Sequence, residues 1–329
     1  MSQPSARSAM KAAVLHTPGR PPSYGEHPAP TAADGTTVIR VTAAPIVPLD
    51  LLCASGTSYF GVPATPYVPG GQGVGIVESS GVLEPGTRVW FFATAGMKPG
   101  DGAMAELCAV PDGDVVPISA EVPDELAAAV GLSGIAAWMA LSWRARLQPG
   151  ERALVLGGGG AVGQVGIGVA RVLGASSVVA VARPSSVGRA SAAGADVVIP
   201  LEGDLDAVAA ALAEHGPYDV ALDPVFDIGS TAASQNLAEF GRLVNLGGAG
   251  SDLATYSSAV LRSRTAAVLG YTNNALTADQ RRDAITQVLG HAAAGRIRIQ
   301  YDVRPLAGVE QAWSLIAAGK AQGRTVLVP

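Results

Sequence analysis

The segment Ala153-Leu-Val-Leu-Gly-Gly-Gly-Gly-Ala-Val-Gly163 constrains the fold of this chain more than any other stretch. An apolar, strand-like run leads into glycines at 158, 160 and 163, and a helical pattern over 161–173 follows at once. In the G-x-G-x-x-G spacing the first glycine permits a tight turn, the second lets the backbone approach a pyrophosphate, and the third lets helix and strand pack closely. Amides at the start of the helix then face the anion. Four consecutive glycines in a chain with 41 of them are a weak signal alone. The strand before and the helix after supply the context that the motif requires, and they predict dinucleotide contacts at Gly158, Gly160, Ala161, Val162 and Gly163.

Strand-like runs at 152–156, 178–182, 196–199, 219–222, 242–246 and 266–269 alternate with helical stretches, which predicts a doubly wound parallel sheet with helices on both faces. Upstream, short β-like runs at 11–16, 37–42, 73–78 and 88–92 are separated by Pro, Gly, Ser and Asp, the texture of a mostly antiparallel, partly barrel-like domain. The expectation is an α/β chain of two domains: residues 1–123, completed by 272–329, and a nucleotide domain over 124–271. A helix near 277–294 and a strand at 325–328 are assigned to the first domain, because six strands already complete the second.

A chain of 329 residues, 48% hydrophobic and 15% charged, can bury two cores and is not disordered. Lysine and arginine total 22 against 27 acids, and no basic run is interleaved with aromatics, which argues against a nucleic-acid partner. Met1 to Ala9 lack the apolar core of a secretory signal, and no later run holds eighteen apolar residues without Gly, Pro or charge. The expected location is the cytoplasm, with no membrane partner. Cys53 and Cys108 are too few for a disulfide framework and read as buried thiols.

The end of the second nucleotide-domain strand bears on the choice of nucleotide. An NAD site usually places an acid there to hold the ribose 2′-hydroxyl. Here Ala182 is followed by Arg183, and an arginine makes charge-assisted contacts with a 2′-phosphate that an acid would repel. Ser185, Ser186 and Arg189 add donors. The expected cofactor is NADPH.

With the glycine loop, the ordered landmarks Pro69-Gly70-Gly71-Gln-Gly-Val-Gly-Ile-Val77, Gly102-Ala-Met-Ala-Glu106, Leu147-Gln-Pro-Gly-Glu151, Gly241-Arg-Leu-Val-Asn-Leu-Gly-Gly248 and Gly323-Arg-Thr-Val-Leu327 make the chain resemble the medium-chain dehydrogenase/reductase superfamily. Within it, the resemblance is to the quinone oxidoreductase and enoyl reductase branches. It implies a GroES-like first domain, a Rossmann domain, and substrate and nicotinamide between them. The positions that hold catalytic zinc in the alcohol dehydrogenases of that superfamily align with Val47, Gly71 and Leu132, none of which offers a nitrogen or thiolate ligand. His16, His27, His215 and His291 lie in no ligand spacing. Without a Lewis acid to handle an alkoxide, conjugate reduction of a quinone or α,β-unsaturated carbonyl is the natural chemistry, because conjugation spreads the incoming charge.

The resemblance also implies further site residues. Tyr59, in Ser55-Gly-Thr-Ser-Tyr-Phe60, borders the substrate and its phenol can bind or protonate the substrate oxygen, or simply form a wall. Asp50 is a candidate acid whose family counterpart commonly has a structural role. Gly247 and Gly248 allow close approach to the nicotinamide ribose. Gly270, Tyr271 and Thr272 reach the carboxamide, or contact the other protomer of a homodimer. Val47-Pro-Leu-Asp50 stands where the quinone reductases often have Asn-Pro-Val-Asp, so an amide that would bond the substrate oxygen is missing. The alternatives are an enoyl-thioester or biosynthetic tailoring reductase and a catalytically idle NADPH-binding structural protein.

Overall fold

The computed structural model describes residues 9–329. The reading of Met1–Ser8 as part of a segment without a secretory signal lies outside the described residues. The chain forms two compact units: one runs to Gly131 and resumes over Gln300–Pro329, and the other is Leu132–Ile299.

In the first unit, β1 (Ala9–Val14) and β2 (Ser23–Pro28) make an antiparallel pair. A larger sheet runs antiparallel through β3 (Thr36–Pro45), β4 (Gln72–Ser79), β5 (Arg88–Phe92) and β7 (Val115–Pro117), while β6 (Leu107–Pro111) pairs antiparallel with β3. Strands β14 (Tyr301–Pro305) and β15 (Arg324–Val328) lie parallel to each other and extend this sheet beyond β3. The alternating apolar positions that marked these runs in sequence close on one core that includes Ile39, Val41, Val77, Phe91, Met104 and Leu327. Helix α1 (Pro48–Ser55) opens with proline in its first turn and ends at Gly56 in the left-handed conformation, φ 76°.

The helix α2 (Asp124–Met139) crosses from one unit to the next, so the boundary falls inside it and not at residue 123. Its start belongs to the first unit because Asp124 accepts hydrogen bonds from the Thr42 hydroxyl and the Arg88 guanidinium. It breaks at Gly131, whose φ of 2° and ψ of −116° are not helical, and whose Cα faces the buried Gln72 side chain with no room for a Cβ. The whole stretch Asp124–Arg144 is long and apolar enough to cross a membrane by length and composition, yet 78% of its apolar window is buried inside the protein, as in a core helix.

The second unit is a six-stranded parallel sheet. Strands β8 (Arg152–Val155), β9 (Ser177–Ala182), β10 (Val197–Pro200), β11 (Tyr218–Asp223), β12 (Leu237–Asn245) and β13 (Ala267–Gly270) are joined in the order β10-β9-β8-β11-β12-β13. This is the doubly wound order, and the α/β expectation holds. Its switch point, where a nucleotide crevice forms, lies at the carboxyl ends of β8 and β11. The helices between the strands include α3 (Ala161–Val172), α4 (Val187–Ala192), α5 (Leu205–Ala213), α6 (Ile228–Gln235) and α7 (Ser258–Ser263). One expectation is corrected. Helix α8 (Ala278–Ala293) belongs to this unit, with Ala284, Ile285, Val288, Leu289 and Ala292 buried, and Val288 fills the space left by the missing side chain of Gly134. The chain therefore returns to the first unit at Gln300, not at residue 272.

Arg242, in β12, locks the amino ends of this sheet. Its guanidinium makes a two-pronged pair with Glu151, at 2.6 and 2.7 Å, and donates to the carbonyls of Ala145, Arg146 and Asp219. Burial alone would raise the Glu151 carboxyl, but the hydrogen bonds from Arg242, the Gln148 amide and the Arg242 charge together hold it below the ordinary value of 4.5. An acid whose pKa is lowered by folding stabilises the fold above its unfolded pKa and loses that contribution as pH falls through the folded value. Arg242→Met is expected to lower unfolding stability by about 2–3 kcal/mol, because it strands a half-buried carboxylate and three carbonyls. Denaturant titrations should also show the advantage of the wild type over Glu151→Gln shrinking as pH falls below 4.5; an advantage that does not change with pH would show that the pair does not carry it.

Candidate functional site

The glycine loop joins β8 to α3. The tight turn is made by Gly157, with φ 61°, one residue before the glycine to which the motif assigns it. Gly158 lies flush against the next strand and helix, since a Cβ there would stand 2.8 Å from the Ala180 Cβ and 3.3 Å from that of Ala190. Gly163 backs on the Gly157 carbonyl so closely that any side chain would collide with it. Gly160 is the extended N-cap of α3 and has no side chain with which to cap it. The first-turn amides of this 12-residue helix have no intrahelical acceptor, and Ala161 and Val162 are half-exposed. An anion is favoured here by both the amides and the helix dipole.

The structure separates the four candidate donors after β9. Arg183 is exposed, and its side chain has no hydrogen-bond or ion-pair partner among the described residues. Ser185 is exposed beside it. Ser186 is buried, donates its hydroxyl to the Arg183 carbonyl at 3.0 Å, and packs against Gly159. Arg189 donates Nε to the Gly159 carbonyl at 3.0 Å. Ala182, where an acid would stand in an NAD site, is buried at the end of β9.

At the far side of the sheet, Gly247 and Gly248 follow β12. Their missing side chains make room for the chain itself: a Cβ on Gly247 would stand 3.0 Å from the Pro224 carbonyl, and one on Gly248 would stand 2.8 Å from Asp252 Oδ1. Gly270 ends β13 and its carbonyl accepts from Arg144. The Tyr271 hydroxyl donates to Asn273 at 2.7 Å, and Thr272 caps the short turn that follows by accepting from the Asn274 amide.

Sequence reasoning missed Asp223. Fully buried at the end of β11, it accepts the amides of Val225 and Phe226, both at 2.9 Å. Burial raises its carboxyl above the ordinary range, against the opposing hydrogen bonds from Ser230 and those two amides. Ser230 is in turn 2.8 Å from the Tyr256 hydroxyl. This carboxyl shapes the turn on which Gly247 rests. An acid that ends an apolar strand just before a proline was the available signal.

In the first unit, Asp50 is buried, and both its oxygens are taken: Oδ2 accepts the Val47 amide at 2.8 Å and Oδ1 the Gly71 amide at 2.9 Å. Burial pushes this carboxyl up to about 6, partly offset by the two amides and by the charge of Arg324. A carboxylate so engaged is a helix cap and a tie to Gly71. Gly71 is itself one of the aligned zinc positions. Its neighbour Gln72 is buried and accepts from the Trp90 indole at 3.0 Å. Tyr59 is 77% exposed, and its ring lies 4.2 Å from that of Phe60. Among the described residues no group of three or more His, Cys, Asp or Glu stands together in a way that could hold a metal ion.

Two family models match the chain: the alcohol dehydrogenase GroES-like domain over residues 33–120 and the zinc-binding dehydrogenase model over 193–327. A phenolphthiocerol/phthiocerol polyketide synthase of Mycobacterium tuberculosis is 28% identical over 302 residues, covering 88% of this chain and 13% of that protein. The quinone oxidoreductase of Rattus norvegicus is 34% identical over 141 residues, 42% of this chain and 41% of the relative. The chain thus matches a small part of the first and less than half of the second. A crystal structure of a probable oxidoreductase from Mycobacterium abscessus superposes with a TM-score of 0.84 at 29% identity, covering 98% of this chain and 99% of that one. With the doubly wound sheet, the glycine loop and the antiparallel first unit, these matches show that the chain belongs to the medium-chain dehydrogenase/reductase superfamily.

Proposed function

We propose that this chain is an NADPH-dependent oxidoreductase that passes a hydride to a quinone or an α,β-unsaturated carbonyl compound without zinc. The observation that carries the reading is Arg183, exposed and uncommitted at the end of β9, beside a glycine loop whose helix presents open amides. The amides of Ala161 and Val162 suit a pyrophosphate, and the Arg183 guanidinium suits a 2′-phosphate. When bound, NADPH supplies the hydride. In this reading the chain binds and orients, and the Tyr59 phenol offers the substrate oxygen one hydrogen bond.

Donor chemistry supports the zinc-free part of the proposal. Val47 and Leu132 are apolar, and Gly71 has no side chain and gives its amide to Asp50. The matched zinc-binding dehydrogenase model covers 193–327 and so includes none of these three positions. A quinone or enone delocalises incoming charge, so hydrogen bonds and solvent suffice where an alkoxide would need a metal. The similarity to a polyketide synthase over 88% of the chain favours a second substrate class, enoyl thioesters, reduced by the same conjugate addition. The proposal also includes a homodimer joined through β13, one of the two edge strands of its sheet.

Arg183→Ala should weaken NADPH binding by roughly 10–150-fold, the loss of a hydrogen bond to a charged group, and leave NADH binding nearly unchanged. Paired fluorescence titrations measure both, and equal weakening of the two nucleotides would remove Arg183 from the site. Elemental analysis of the purified protein should find no stoichiometric zinc, and exhaustive chelation should leave turnover intact. Activity that disappears on chelation and returns with zinc would contradict the zinc-free reading.

A further inference from the structure

We infer that Arg189 is a positioning residue for the nucleotide: through the Gly159 carbonyl it fastens the segment that meets the ribose to the loop that meets the pyrophosphate, and it does not read the 2′-phosphate. The inference rests on the nucleotide reading above and divides the labour between its two arginines.

The Gly159 carbonyl accepts from two side chains, Arg189 Nε at 3.0 Å and the buried Gln164 Nε2 at 3.1 Å. Two donors saturate a carbonyl oxygen. The N–H at the other end of the same peptide, that of Gly160, donates to the Gly157 carbonyl at 2.8 Å. The trans peptide is planar, so this plane is pinned at both ends. A carbonyl left unpaired at this point would set a partial negative charge near the anion expected at the start of α3. Bonding it to a guanidinium offsets that charge and brings a positive one to the loop. The effect concerns the pyrophosphate, which NADH and NADPH share.

The turn that carries Arg183 leans on the same glycine. The hydroxyl and Cβ of Ser186 fill the space where a Gly159 side chain would go, and that hydroxyl holds the Arg183 carbonyl. Arg183 thus projects from a segment registered against the phosphate loop, and Arg189 is the charged bond that fixes the register.

The test is titration of wild type, Arg189→Met and Arg189→Lys with NADPH and with NADH, alongside steady-state kinetics and melting curves. Arg189→Met should weaken both nucleotides by about tenfold, leave their ratio and kcat near wild type, and raise KM for each. Arg189→Lys keeps a charged donor and should recover most of the loss. Weakening of NADPH alone would make Arg189 a phosphate reader and overturn the inference. So would a lowered melting temperature with both affinities unchanged. If Arg189→Met does not fold, Gly159→Ala takes its place: it forces Ser186 off the loop without altering charge. Gly159→Ala should also weaken both nucleotides, and undiminished binding would contradict the coupling. A wild-type protein that binds neither nucleotide would defeat the cofactor reading itself, which is a different outcome.

Discussion

Contact between the Gly157 carbonyl and the Cα of Gly163 is the constraint on which the nucleotide unit depends. It sets how closely α3 can lie against β8, and so where the open amides of that helix stand relative to the carboxyl ends of the strands. The surrounding contacts serve the same spacing. Gly158 is flush with Ala180 and Ala190, Gly159 with Ser186, and the Gly159 carbonyl is held by Arg189 and Gln164. An anion site made of backbone amides works only if the backbone is fixed before the anion arrives. Here it is fixed by close packing on one side and by a charged hydrogen bond on the other.

The strands of the nucleotide unit were legible because each is a short apolar run between turn residues, and the structure places five of the six within one or two residues of the expected bounds, β12 alone beginning earlier, at Leu237. The site was less legible. Arg183, Ser185, Ser186 and Arg189 are equally polar in sequence, and nothing in their order says that two face outward while two bond the chain. That division depends on which side of a short turn and of α4 each residue falls, a rotation that a six-residue helix does not announce. Asp223 went unseen for a related reason: its role comes from two amides that turn back toward it after Pro224. The helix α8 was misassigned because strand counting says when a sheet is complete and says nothing about which helices cover it.

In the first unit a buried carboxylate and a buried guanidinium hold the frame around α1. Asp50 ties the start of α1 to Gly71, with the buried Arg324 guanidinium nearby and donating to the Ile46 carbonyl at 2.8 Å. Burial lowers Arg324 to about 10 and raises Asp50 to about 6, while each charge favours the other.

Metal-free transfer of hydride from a nicotinamide to a conjugated acceptor, as proposed for this chain, can be checked by following the transferred atom. NADPH carrying deuterium at both C4 positions would be incubated with chelator-treated protein and a simple enone, and the product examined by mass spectrometry and NMR. The expected product carries one deuterium at the β-carbon of the saturated ketone and forms at the same rate before and after chelation. A product without deuterium, or one that forms only after zinc is restored, would contradict the proposal.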